Sequence, residues 1–172
     1  MKRAMDNLHS LKRHVVLMIL ATLGVLLVAA SVFTVVFERE LSDRRAMEAA
    51  GAQALEVAKV SVPEVFSYDF NTADRQLEAA LRKLAGKFQA DFAALSTNVI
   101  VPAARRDSIV TTASVVEGAV VSADTSTATL LLFLNQSTVS TKYQGPRLDG
   151  SRILVTMTKV DELWLIEDLV PV

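Results

Sequence analysis

The chain has 172 residues, 51% of them hydrophobic, and its 18 lysine and arginine residues nearly balance 19 aspartate and glutamate residues. Cysteine is absent, which excludes disulfides, lipid-modified cysteine, zinc–thiolate sites and thiol catalysis, so a folded body must be held by its own core. The charge is unevenly spread: Met1 to His14 holds Lys2, Arg3, Lys12 and Arg13 against Asp6, whereas residues 38–172 hold 14 basic and 18 acidic residues, a balance that offers no basic stripe to a nucleic acid.

The first predicted element is the run from Val15 to Phe37, 23 consecutive residues without a charge. At ~1.5 Å rise per residue a helix of that length spans ~35 Å, enough to cross a hydrocarbon core of ~30 Å with some tilt. Lys12, Arg13 and His14 abut its start and Glu38, Arg39 and Glu40 its end. This excess of Lys and Arg on the N-terminal side predicts a cytoplasmic basic head (1–14), a single-pass transmembrane helix (15–37) in the cytoplasmic membrane, and an extracytoplasmic domain (38–172) in the periplasm or cell envelope. Ala29, Ala30 and Ser31 offer a cleavage site as an alternative, but the run exceeds the ~7–15 residues of a secretory apolar core, so an uncleaved signal anchor is favoured. Ala21, Gly24, Val28 and Ser31 share one stripe of this helix, a candidate interaction face. Small residues are common in membrane helices and there is no GxxxG, so simple anchoring competes with docking.

A helix is predicted over 38–62, where Met47, Ala50, Ala54, Ala58 and Val62 recur at spacings of three and four and make an apolar face suited to a sheet. With neither proline nor flexible linker before it, this helix and the membrane span are expected to form a nearly continuous rod. Pro63 predicts a break. Asn71 or Thr72 offers an N-cap for a second helical stretch, 72–97, in which Leu77, Leu81, Leu84, Phe88, Phe92 and Leu95 form one stripe bent or split at Gly86. Asn98 and Pro102 are expected to end the helical region. From Ser108 β-branched residues dominate, and turn signals place four strands near 108–122, 127–139, 151–160 and 163–170, all joined as antiparallel hairpins. Leu130 to Leu134 is apolar at every position, which predicts a central strand or one covered on both faces. Helices followed by a sheet define an α+β body.

The layout, with Ser67-Tyr68-Asp69-Phe70, Gly86-Lys87-Phe88, Val101-Pro102-Ala103-Ala104, Asn135-Gln136-Ser137-Thr138, Asp149-Gly150-Ser151-Arg152 and Trp164-Leu165-Ile166-Glu167-Asp168-Leu169 in order, resembles the actinobacterial Mce-associated membrane protein family. Members of that family accompany Mce (mammalian cell entry) lipid importers. The resemblance implies an NTF2-like (nuclear transport factor 2-like) cone, with about three helices packed on a curved, mostly antiparallel four-stranded sheet. It further implies a non-catalytic accessory subunit that binds and stabilises a Mce-type lipid or sterol import complex. Its partners would be the Mce proteins, their permease and membrane lipid, without cofactor or metal, and with self-association through the sheet as an option. Ala85 departs from the usual small hydroxyl residue before Gly-x-Phe, and Glu162 from the glycine common before the tryptophan, which places a helix cap and the last turn in question.

Folds of this type also host enzymes. The only histidines, His9 and His14, lie in the head, so acid–base chemistry in the body would rest on Tyr68, Asp69, Asp91, Tyr143 and Asp168. Tyr68 beside Asp69 suits a structural corner better, with Asp69 accepting backbone N–H groups, and no catalytic residue is assigned. An extracytoplasmic lipid- or small-ligand-binding domain is the leading alternative, ahead of an enzyme, its pocket lined by Phe88, Phe92, Leu132, Phe133, Met157 and Trp164. A filled core explains the same residues more simply. Asn135-Gln136-Ser137 matches a glycosylation sequon, discounted in view of the bacterial resemblance. Asn135 and Gln136 are polar amides in an apolar strand and need partners, either inside the fold or on another subunit. Tyr68, Asp69, Asn135, Gln136 and Trp164 are therefore the candidate interaction residues of the body.

Overall fold

A computed structural model describes Phe33 and residues 37–172. The predicted head and membrane span, with its Ala21, Gly24, Val28 and Ser31 face, lie outside the described residues apart from Phe33 and Phe37. Among the described residues no helix is long and apolar enough to cross a membrane. The chain divides into two compact units, Met1–Arg45 and Ala46–Val172. In the first, residues 37–45 are helical and exposed. There the rings of Phe33 and Phe37 stack with centroids 6.2 Å apart, and Glu40 pairs with Arg44 at 2.8 Å.

The second unit begins with a helix over residues 46–66, α1. Ala50, Ala54, Ala58, Val62 and Val65 are its buried face, whereas Met47, expected on that face, is 40% exposed. Small side chains along the stripe let the helix sit close to the sheet: a Cβ added at Gly51 would lie 3.0 Å from Ala123 Cβ and 3.1 Å from Val120 Cγ1. The break expected at Pro63 does not occur, and the helix runs on to Phe66. Burial of Ser61, Val62 and Val65 around the proline holds the last turn helical, although Pro63 donates no N–H to it.

A short strand, β1 (Tyr68–Asp69), follows and adds a fifth strand to the four predicted. Asp69 then turns the chain: its Oδ1 accepts from the N–H and side-chain amide of Asn71 at 2.8 and 2.9 Å. The stretch predicted as 72–97 is divided into α2 (Ala73–Leu81) and α3 (Gly86–Leu95), with Gly86 at φ 59. Between them residues 83–85 run parallel to the last strand. Ala85 N–H donates to the Ile166 carbonyl and Ile166 N–H to the Lys83 carbonyl, both at 2.8 Å, and Leu84 is buried. Ala85 is the N-cap of α3 and makes no side-chain cap bond there.

Leu95, expected in the apolar stripe, is 47% exposed. The π-helical turn Ser96–Ile100 that follows inserts an extra residue, and the buried line passes from Phe92 to Ser96, Ala104 and Asp107. Nor does the helical path end at Asn98 or Pro102. It continues through α4 (Val101–Asp107), with Pro102 directly after the π turn, and stops at left-handed Ser108.

β2 (Val110–Ala123), β3 (Thr127–Val139), β4 (Arg147–Val160) and β5 (Leu163–Pro171) complete an antiparallel sheet in the order β1-β2-β3-β4-β5. β3 is central, as its apolar run predicts, and β4 starts four residues earlier than expected. Asp124 shapes the β2–β3 turn by accepting from Ser126 N–H and Thr127 N–H, each at 2.7 Å. The β4–β5 turn places Asp161 and Glu162 at φ 48 and 65, so Glu162 occupies a left-handed position that glycine would take more easily. Leu130, Leu132, Val155, Met157 and Ile166 fill the core between this sheet and α1–α2, with Leu77 and Leu84 opposite.

Candidate functional site

The candidate residues of the body do not converge. Tyr68 and Asp69 form β1, paired with Thr111 and Val110, and Asp69 N–H donates to Gln76 Oε1 at 2.8 Å. They join α1 to α2 at the sheet edge. Asn135 and Gln136 lie on β3, opposite Ser114 and Ala113 on one side and Gly150 and Asp149 on the other. Asn135 is exposed and Gln136 half-buried, both beside a shallow hollow of about 330 Å³ that includes Thr112, Ser114 and Leu148. Trp164 is two strands away on β5, only 7% exposed, and its indole N–H is buried without an acceptor.

The proposed acyl-pocket set is split in the same way. Leu132 and Met157 are fully buried and Phe92 nearly so, which makes them filled core rather than cavity wall. Phe133 is 40% exposed on the opposite face of the sheet, because alternation along β3 sends Leu130, Leu132 and Leu134 one way and Leu131 and Phe133 the other. On that outer face Leu131 pairs with Leu154, Leu154 with Val170, and Phe133 with Glu117 and Arg152. Val116, pushed out at a bulge in β2, is 60% exposed beside them. A groove of about 580 Å³ runs here between Val116, Phe133, Asn135, Gly150, Arg152 and Val172. The apolar run of β3 was visible in the sequence; that its second face stays uncovered was not.

The acids that could have served catalysis are separately engaged. Asp69 holds Asn71, Asp91 on α3 pairs with Lys87, and Asp168 Oδ1 accepts from Leu169 N–H at 2.9 Å. Tyr143 lies in the β3–β4 loop with the Arg147 guanidinium 5.9 Å from its ring centre. Among the described residues no group of three or more His, Asp or Glu is placed to hold a metal ion.

The sequence did not single out Asp107, a buried acid that joins two distant segments. Its carboxylate accepts from Arg106 Nε and Nη2 at 3.2 and 3.0 Å and pairs with Lys142 Nζ at 2.8 Å. Its carbonyl accepts from Ser140 Oγ, Thr141 Oγ1 and Thr141 N–H at 2.9, 2.9 and 3.0 Å. These bonds tie the end of α4 to the β3–β4 loop. The hydrogen bond from Arg106, followed by that from Lys142, lowers the Asp107 pKa to about 2. Asp124 is held well below the usual carboxylate range, foremost by the Thr127 hydroxyl and then by the Ser126 and Thr127 amides.

Helices packed on a five-stranded antiparallel sheet, with the edge strand and helical wrap described above, define the class. The chain is similar to an IcmL-like type IV secretion system protein from Legionella pneumophila, with a TM-score of 0.60 at 11% identity over 70% of this chain and 92% of that one. It is similar also to a periplasmic fragment of TraM (0.57, 16% identity, 69% and 93%) and to CagV, a VirB8 homologue of Helicobacter pylori (0.52, 11% identity, 67% and 96%). The fold is thus an α+β domain of the VirB8-like, NTF2-like type.

No known family model matches the sequence. Among individual proteins, the chain is 33% identical over 135 residues to the uncharacterised Mycobacterium tuberculosis protein Rv1362c, covering 78% of this chain and 61% of that one. It therefore spans less than two thirds of that relative. It is 30% identical over 123 residues to the Mycobacterium tuberculosis "Outer membrane protein Rv1973", covering 72% of this chain and 76% of the relative. The chain belongs to the same family as Rv1973.

Proposed function

We propose that the protein is a non-catalytic, single-pass accessory subunit of the mycobacterial-type cell envelope that binds and stabilises a Mce-type lipid import complex. The observation that carries this reading is the ordered set of six strings, from Ser67-Tyr68-Asp69-Phe70 to Trp164-Leu165-Ile166-Glu167-Asp168-Leu169, that resembles the Mce-associated family, behind an uncharged run of 23 residues, Val15 to Phe37. The basic head faces the cytoplasm and residues 38–172 stand outside the cytoplasmic membrane. The outer sheet face around Phe133 and Val116 supplies apolar surface for a subunit, and Asn135 and Arg152 at its margin supply polar contacts. Fold neighbours that are periplasmic parts of proteins and components of secretion systems support a place in an envelope assembly, as does a relative named an outer membrane protein.

Affinity recovery of the tagged native protein from detergent-solubilised membranes tests the reading. Permease or Mce subunits are expected in the eluate, and their consistent absence would refute the assignment. Separation of cytoplasmic and outer membranes should place the protein in the cytoplasmic fraction. Its recovery with the outer membrane would overturn the proposed anchoring.

A further inference from the structure

A second groove, separate from the outer sheet face, runs along the flank of α1. It measures about 800 Å³, within the ~300–1,000 Å³ of ordinary small-ligand sites, and its apolar lining comes from Ala52 and Val57 of α1 and Leu163, Trp164 and Leu165 of β5. Four charged residues border it: Glu56, Arg82, Lys83 and Glu162. Glu56 is paired with Lys59 at 2.9 Å, Glu162 with Lys159 at 2.7 Å, and Lys83 with Glu64 at 3.6 Å. Arg82 has no ion-pair partner among the described residues, and it is exposed. Trp164 forms part of the groove wall; it is 7% exposed, and its buried indole N–H meets no acceptor, whereas buried indoles usually find one.

An apolar trough bordered by a guanidinium without an ion-pair partner among the described residues, its two acids each lying against a lysine, is complementary to a molecule with an anionic head and an apolar tail. We propose that this groove binds a long-chain carboxylic acid, its carboxylate on Arg82 and its chain along Val57, Leu163 and the Trp164 ring. A guanidinium holds a carboxylate by two parallel charge-assisted hydrogen bonds, and a single alkyl chain fits a trough without needing the polar partners that a peptide backbone would demand. The inference rests on the groove alone and is independent of which envelope assembly the protein serves.

Trp164 is the chain's only tryptophan, so its fluorescence reports the groove directly. The test uses the full chain in phosphatidylcholine nanodiscs titrated with a stearic acid carrying two bromines in mid-chain, which quenches tryptophan on contact. The expected result is saturable quenching, reversed by unlabelled stearate. Arg82→Gln should weaken it by about tenfold, the scale of losing one charged contact, whereas Lys87→Gln on exposed α3 should not. Leu163→Glu, at a 65% exposed position, should also weaken it without disturbing the fold, checked by circular dichroism. Absent quenching, quenching that rises without saturation as the acid partitions into lipid, or equal quenching by the corresponding brominated alcohol would each overturn the proposal. So would an Arg82→Gln protein that binds normally.

Discussion

Asp107 joins two segments distant in sequence, the end of α4 and the loop after β3, through Arg106, Lys142, Ser140 and Thr141. Its folded pKa of about 2 lies below the ordinary 3.8. The unfolded chain therefore binds the proton first on acidification. The stabilisation is fully present above the ordinary pKa and is lost as pH falls through the folded one, between 3.8 and about 2. Asp107→Asn should consequently unfold with a shallower dependence on pH in that window than the native protein, as measured by circular dichroism during acid titration. Some dependence should survive in the variant, because the lowered pKa of Asp124 acts in the same direction. None of this was legible beforehand. The meeting of Asp107 with Lys142 depends on tertiary structure, which brings together residues 35 positions apart. By contrast the corner role of Asp69 followed from residue type alone, since a short carboxylate ahead of Asn71 favours an Asx-type turn.

At the scale of elements, the seat of α1 on the sheet is set by the absence of side chains. A Cβ at Gly118 would run into Leu132 Cδ2 and lie 3.0 Å from Leu55 Cδ1, and Ala54 is fully buried on the facing helix. Overpacking a filled interior costs about 1–3 kcal/mol. Gly118→Ala and Ala54→Leu should each lower the thermal unfolding temperature accordingly, whereas Val60→Leu, at a 62% exposed position, should leave it nearly unchanged. The Ala50, Ala54, Ala58, Val62 stripe was readable because helical periodicity is local. Three other features were not. β1 has two residues and carries no periodicity, the helix passes Pro63 because Val62 and Val65 are buried, and the π turn at Ser96–Ile100 rotates the stripe away from Leu95. Local pattern sees none of these, since each is decided by what packs against the segment.

For the whole molecule, α+β class and a central β3 were legible, because β-branched and apolar runs follow the helices in one block. The surfaces were not. The groove beside Trp164 draws on residues near 52–57, 82–83 and 162–165, and only the fold brings these together. The outer face depends on alternation along β3 combined with a bulge that pushes Val116 outward. If that face serves a partner, Phe133→Glu should leave the protein folded, since Phe133 is 40% exposed and the like charge of Glu117 on one neighbouring strand is offset by Arg152 on the other. The same change should sharply reduce recovery of importer subunits.

If the protein stabilises a Mce-type importer, less importer should be present in cells without it. Quantitative mass spectrometry of membranes from cells lacking the chain should show depleted Mce and permease subunits, restored by the native protein and not by Phe133→Glu. Unchanged subunit levels in its absence would overturn the accessory role.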